Sequence, residues 1–343
     1  MNWQLLPQFA VTGLLSGGPI ALIALGLVLI YKSSEIFNFA HGQMLLIGAM
    51  ATWWYSSENA LGRILPGDEN FLPRIGLAIV LALLTSIVLG LVIERLALRP
   101  MTGQPLLSII LMTLALSQVL QGLTILTFGP TQRNFPVLFS TSNPYRITLP
   151  LAQNAGTVAN CHFAFGGDPQ PGCLIVILRQ DLFWSFMVAM ACVVLLYVFF
   201  QYTRTGLSMR ATAENHETAQ AVGIRINRVF GFSWAIAGII ATIGGILIAT
   251  ASGLDLSLPI VVLAAFPAVL LGGLESIPGA VIGGLIIGLF QGIVALPNND
   301  FFLGAEAAQA IRNSKEIVPY IILLIVLVIR PDGLFGQKRI ERI

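Results

Sequence analysis

Phe9-Ala-Val-Thr-Gly-Leu-Leu-Ser-Gly-Gly-Pro-Ile-Ala-Leu-Ile-Ala-Leu-Gly-Leu-Val-Leu-Ile-Tyr31 contains no charged side chain. A helix needs about 20 apolar residues to cross about 30 Å of hydrocarbon, and this stretch is long enough to do so. Similar stretches follow at Ile36 to Ser56, Ile75 to Ile93, Pro105 to Phe128, Leu182 to Tyr202, Val229 to Ser252, Leu256 to Leu274, Ser276 to Pro297 and Ile317 to Ile329. The composition agrees: with 56% apolar and only 10% charged residues, a soluble globule would lack the polar surface to stay dispersed. Backbone exposed to lipid must satisfy its own N–H and C=O groups, so the spanning segments are helices. The expected fold is therefore all-α, a polytopic transmembrane bundle of about nine spans, within a range of about eight to ten. The last stretch is short and is expected to extend back past Lys315 and Arg312, whose long side chains snorkel. Only Glu275 separates the seventh stretch from the eighth, which predicts a tight hairpin or two incompletely crossing segments.

Lys and Arg near the ends of spans resist export, so their distribution sets the orientation. With the C-terminus in the cytoplasm, the short inside loops hold Lys32, Arg95, Arg99, Arg204, Arg210, Arg225, Arg228, Arg330, Lys338, Arg339 and Arg342, most of the 18 basic residues. The N-terminus then lies outside. Met1 to Gln8 has no basic n-region, so the first stretch reads as a retained helix. The whole chain, 1–343, reads as one transmembrane domain, with 129–181 an extracytoplasmic loop and 204–228 a cytoplasmic loop. The net charge of +2 gives no sign of a nucleic-acid partner.

The outer loop is rich in Pro, Gly, Asn and Gln and contains Cys161 and Cys173. A disulfide between them would stabilise so short a loop by about 3 kcal/mol on the chain-entropy model, and such bonds persist on the exported side. The alternative is two free thiols. Cys192 lies within a span as a small apolar filler.

A phosphate-binding loop needs Gly-x-x-x-x-Gly-Lys-Ser/Thr, and none of Lys32, Lys315 or Lys338 has that context. The chain thus encodes no ATP site and suggests no cofactor or metal of its own. His41, His162 and His216 fall in a span, an outer loop and an inner loop, too dispersed for a hydrolytic triad. No enzymatic activity is expected.

Polar residues inside spans cost free energy unless something bonds them, so they mark either pathways or interhelical ties. Asn38, His41 and Thr52 fall near one face of the second stretch, with Gln43 beside them, and Gln118 and Gln121 form an i, i+3 pair in the fourth. Each is a candidate for lining a translocation pathway or forming part of a broken-helix element there. The alternative role is packing by hydrogen bonds. In the eighth stretch Gly284, Gly288 and Gly292 recur every fourth residue, with Gly279 and Gly283 beside them, a pattern that lets helix backbones approach closely.

Asn38-Phe-Ala-His-Gly42 with Gly48-Ala49, then Gly272-Gly-Leu-Glu-Ser-Ile-Pro-Gly279-Ala-Val-Ile-Gly-Gly284, then Arg330-Pro-Asp-Gly-Leu-Phe-Gly336 together resemble the LivH-like permeases of branched-chain amino acid ABC importers. The resemblance runs from about Val11 to Gly336. It implies a multi-pass subunit of the bacterial inner membrane, paired with a second permease of the LivM type, two cytoplasmic ATP-binding subunits that hold the ATP, and a periplasmic substrate-binding protein. Urea and short-chain amide importers use similar permeases. The inner loop fits the same family: Glu217-Thr-Ala219-Gln-Ala-Val-Gly223 looks like the Glu-x-Ala-x-x-x-Gly core of importer coupling helices, which fit a cleft on the ATPase. Arg210, Glu214, Glu217, Ala219 and Gly223 are the resulting candidates for ATPase coupling. An ordinary solvated loop helix is the plainer reading. The chain departs from the family at three points: Ser233-Trp-Ala stands where some importers have Ile-x-Leu-Pro, the outer loop is long, and Gln43 replaces a common Glu.

A self-sufficient secondary transporter or channel is the rival from another class. It would need an ionisable gradient-coupling site within the spans, and the sequence offers one histidine there, with Lys32, Glu35 and Glu275 at the edges.

Overall fold

The computed structural model describes residues 5–34, 36–58, 60–64, 71–101, 103–136, 138–139, 144–152, 164–165, 173–214, 216–295, 314–331 and 333–336. Its helices are α1 (Leu6–Ser34), α2 (His41–Ser56), α3 (Phe71–Ile93), α4 (Leu106–Phe128), α5 (Gln180–Tyr202), α6 (Arg204–Glu214), α7 (His216–Ala221), α8 (Ile226–Ser252), α9 (Val261–Gly272), α10 (Ile277–Val294) and α11 (Val318–Ile329). Among the described residues six helices are long and apolar enough to cross a membrane: α1, α3 with its continuation to Met101, α4, α5, α8 and α10. The chain is a polytopic helical membrane protein. Each of the other three apolar stretches contains a shorter helix: 16 residues in α2 and 12 each in α9 and α11.

Helix α1 is the axis of the bundle. It is apolar all round, and 89% of its most apolar window is buried, the behaviour of a helix surrounded by others rather than lying at a surface. It packs most extensively against α10 and also meets α5, α8 and α9. Helix α8 is the second buried element, at 72%, whereas α4 and α5 bury only 17% and 22% of theirs.

Two of the short helices are short because local side chains compete with the helix. Before α2, the Asn38 side-chain oxygen accepts the Ala40 N–H at 3.0 Å, an Asx turn that holds 36–40 out of helical geometry. Protein covers the segment, which satisfies its irregular backbone without lipid contact: Asn38 is 1% exposed and Ala40 is fully buried. Phe37 and Phe39 pack their rings against Phe266 of α9. Before α9, Asp255 accepts from both the backbone N–H and the hydroxyl of Ser257, forming a turn that delays the helix to the short 3₁₀ segment Leu258–Ile260. These two interrupted segments meet, since a Cβ on Gly42 would lie 2.9 Å from the Pro259 carbonyl oxygen.

Helix α11 does not extend back past Lys315 as expected. A single 3₁₀ turn, Ser314–Glu316, precedes it, Pro319 sits in its first turn, and Arg312 lies outside the described residues. The predicted hairpin at Glu275 is present: α9 ends at Gly273 (φ +98°), Ser276 N–H donates to the Gly273 carbonyl, and the Ser276 hydroxyl caps α10 by accepting from Gly279 N–H at 3.1 Å. The C-terminal motif has a structural role here. Leu334 and Phe335 donate their backbone N–H groups to the Leu271 and Gly272 carbonyls, satisfying acceptors that the end of α9 leaves open.

The expectation of an all-α fold needs one correction. The region 129–181 contains a small antiparallel sheet, β1 (Tyr145–Ala152), β2 (Ala164–Phe165) and β3 (Cys173–Leu178), in the order β2-β1-β3. Tyr145 pairs with Leu178 and Ile147 with Val176. The free edge of β3 is covered by Gln8 of α1, whose amide donates to the Ile177 carbonyl at 2.7 Å and accepts its N–H at 2.6 Å, mimicking a further strand. Arg179 then makes a two-bond ion pair with buried Asp181, fixing the sheet to the start of α5. Cys173 is disulfide-bonded and Cys192 is a free thiol. Cys161, the expected partner of Cys173, lies outside the described residues.

Candidate translocation and coupling sites

The bundle has two chemically distinct ends. At one, the sheet and Gln8 meet α5. At the other, Lys32 from the end of α1 donates to the Glu275 carbonyl, and Arg210 and Phe335 complete a cleft of about 260 Å³. The α6–α7 pair projects from this second end, since α6 follows α5 there and Arg210 of α6 donates to both the side chain and the backbone carbonyl of Gln201.

Helix α6 starts with the Thr203 hydroxyl accepting Gly206 N–H, and it buries Gly206, Met209 and Thr212 at three-residue spacing. Helix α7 closes with a paired backbone motif. Gly223 N–H donates to Gln220, Ile224 N–H donates to Ala219, and Gly223 adopts φ +89°. This is the Schellman arrangement, in which glycine takes the left-handed position at no steric cost. Ala219 is 2% exposed and faces its own protein, whereas Glu214 is exposed. Glu217 lies in α7, with its side chain outside the described set. Arg210 ties α6 to α5 instead of standing free. Beside α7, Arg99, Gln220, Arg225 and Arg228 line a polar groove of about 410 Å³.

The polar residues of α2 lie deep in the protein. His41 is 0% exposed, touches the position where a Gly26 Cβ would stand, and has no hydrogen-bond partner for either ring nitrogen. Gln43 is 6% exposed with its side-chain oxygen likewise unpartnered. The Asn38 amide donates to Met44 sulfur, and Thr52 bonds back to the Gly48 carbonyl. The structure therefore brings Asn38, His41 and Gln43 together around the interrupted start of α2. Gln118 and Gln121 are not part of this group. Helix α4 buries Thr113, Leu120 and Thr124, and Gln118 points away from that face, exposed.

The glycines of α10 divide between two neighbours. Gly284, Gly288 and Gly292 meet the α1 backbone at Ala21, Gly17 and Gly13, while Gly279 and Gly283 meet α9 at Gly272 and Ala268. The α1 half of this seam, Gly13 and Gly17, escaped the sequence reading although its four-residue spacing matches that of α10. The reading also missed a cavity of about 710 Å³ at the sheet end, between the ends of α1, α5, α8, α9, α10 and α11. Its wall includes Thr12, Ser16, Ser185, Gln291 and Tyr320, residues scattered too widely in sequence to be grouped without the fold. Among the described residues no three His, Cys, Asp or Glu side chains are grouped to hold a metal ion.

The family model described as branched-chain amino acid transport system / permease component matches residues 9–327. This chain belongs to that family. It is a family of transport permeases, not of enzymes. The chain is 27% identical over 339 residues to the high-affinity branched-chain amino acid transport system permease protein LivH of Escherichia coli K12, covering 98% of this chain and 97% of that protein. The corresponding LivH protein of Salmonella typhimurium LT2 matches at 27% over 339 residues, with the same 98% and 97% coverage. The high-affinity branched-chain amino acid transport system permease protein BraD of Pseudomonas aeruginosa is 27% identical over 341 residues, covering 98% of this chain and 97% of its own length. Among solved structures, PsaBC from Streptococcus pneumoniae in complex with Fab matches with a TM-score of 0.45 and 17% identity, covering 95% of this chain and 92% of that one, a likeness too distant to bear on the site.

Proposed function

We propose that this chain is a membrane-spanning subunit of an ABC importer for branched-chain or other mainly neutral amino acids, moved by alternating access. In this reading it has about nine membrane segments, counting α2, α9 and α11 as partial crossings. The N-terminus and the 129–181 loop lie outside, and the 204–228 loop and C-terminus lie in the cytoplasm of a bacterium, across the inner membrane. The partners are two cytoplasmic ATPases that bind the ATP, a second permease of the LivM type, and an extracytoplasmic substrate-binding protein.

The observation that carries the reading is α7. It is a short helix with a fixed C-terminus, projecting at the same end as the Lys32–Arg210–Glu275 cleft and flanked by basic residues. A rigid element of this kind can transmit the closure of an ATPase dimer into the bundle, because the two nucleotide states engage it differently and so bias the conformational equilibrium. The interrupted α2 and α9, meeting at Gly42 and Pro259, suit the pathway. Broken helices at mid-depth are the usual place for a transport route, and the unpartnered His41 and Gln43 are polar groups that such a route would use. Gln118 supports the second permease: an amide exposed near the middle of a spanning helix is costly against lipid and favourable against protein.

The test is Gly223→Val in the importer reconstituted with its companions. The left-handed φ strains the new residue by about 1–2 kcal/mol while leaving the fold intact. ATP hydrolysed per amino acid carried is expected to rise several-fold. An unchanged ratio would remove α7 from the coupling role.

A further inference from the structure

The sheet-end cavity has the composition of a small-molecule site and not that of a packing fault. Its volume of about 710 Å³ lies within the usual range for ligand pockets, about 300–1,000 Å³. Most of the wall is apolar, with Leu247, Ile248, Val261 and Leu263 among its residues. Polar groups from five helices interrupt it: Thr12 and Ser16 of α1, Ser185 of α5, Ser252 of α8, Gln291 of α10 and Tyr320 of α11, and all of them but Ser185 already bond within the chain. Ser185 is 1% exposed, and its hydroxyl has no hydrogen-bond partner, an unusual state for a buried donor.

Pro267 of α9 has no N–H for the Leu263 carbonyl one turn earlier, and the Tyr320 hydroxyl supplies the missing donor at 3.1 Å, which leaves its oxygen as an acceptor in the wall. At the rim stand Lys315 and Glu316, one cation and one anion adjacent in sequence.

We infer that this cavity binds a zwitterionic amino acid with a branched apolar side chain, giving the permease a substrate site of its own at the sheet end, beside the start of α9. The apolar wall takes the side chain. Lys315 and the unpartnered Ser185 hydroxyl suit the carboxylate, while Glu316 suits the ammonium group. A lipid acyl chain would use the apolar wall but neither the two rim charges nor the Ser185 hydroxyl. The inference rests on the reading that the importer carries neutral amino acids, and it places a receiving site at the end where that reading puts the substrate-binding protein.

The experiment is equilibrium binding of radiolabelled L-leucine to the complete membrane complex in nanodiscs, without the substrate-binding protein. It is run on the wild type, on Ala264→Phe, which fills the cavity from α9, and on Ser185→Ala, which removes the lone hydroxyl. ATP-driven leucine uptake by the fully reconstituted importer is measured beside it. Saturable wild-type binding that is weakened at least tenfold by Ala264→Phe and severalfold by Ser185→Ala, with assembly intact, is the expected result. Uptake of leucine with no wild-type binding, or with binding indifferent to both substitutions, overturns the cavity site and leaves the importer reading standing. A phospholipid found in the cavity by native mass spectrometry and not displaced by L-leucine also overturns it. Absence of uptake for every neutral amino acid, with the companions present and hydrolysing ATP, defeats the importer reading itself.

Discussion

The α1–α10 seam and helix α7 both depend on glycine, for opposite reasons. In the seam a side chain has no room: a Cβ on Gly13 would lie 2.6 Å from the Gly288 carbonyl oxygen, and one on Gly17 would lie 3.0 Å from that of Gly284. At Gly223 a side chain has open space around it, and only the backbone angle of φ +89° favours glycine. The seam therefore reads as a rigid contact between two backbones, and α7, in the proposed coupling role, as a separate lever with a defined end. A transporter needs both, since force applied to a lever is lost unless the body it acts on moves as a unit.

Substitutions at four glycines test this contrast. Gly288→Val should be the most damaging, because it drives a branched side chain into the Gly17 backbone, which cannot rotate away. A loss of about 3 kcal/mol or more is expected, seen as failure to recover a monodisperse protein from detergent. Gly48→Val should cost less, about 1–3 kcal/mol, because part of what it meets is the Thr242 side chain, whose hydroxyl also contacts Ser86; thermal melting followed by size-exclusion chromatography reads the shift. Gly223→Ala should lower stability by only about 1–2 kcal/mol in the same assay, since strain is its only penalty. At Gly122 of α4, φ is helical and no atom lies within 4 Å of an added Cβ. Gly122→Ala should therefore stabilise the isolated chain by about 0.4–1 kcal/mol. If Gly223→Ala proved as harmful as Gly288→Val, the distinction between seam and lever would fail.

Much of the bundle can be read from the chain because apolar length dominates a membrane fold. Each apolar stretch contains a helix, and the turn at Glu275 lies where one charge interrupts two such runs. Hydropathy could not show where helices begin late. The Asx turn at Asn38 and the Asp255–Ser257 contact are single polar events inside apolar runs, and they shorten α2 and α9. The sheet was hidden by composition. Pro, Gly and Asn around β1 and β3 suggested an irregular loop, while the partner that covers its edge, Gln8, is 169 residues away from Ile177 in sequence. The polar face of α2 was legible from residue type alone, since buried His, Asn and Gln are rare in spans. Gln118 shows the limit of that rule. Only the three-dimensional arrangement tells whether such a residue turns inward, as Asn38 does, or outward, as Gln118 does.

In the proposed reading this chain is a gate moved by separate ATP-binding subunits. Its most direct test is transport by the purified chain alone in lipid vesicles, compared with vesicles that also contain the second permease, the ATPases and the binding protein. The account predicts ATP-dependent accumulation of a neutral amino acid only in the complete preparation. Concentrative uptake by the solitary chain, driven by an ion gradient, would contradict it.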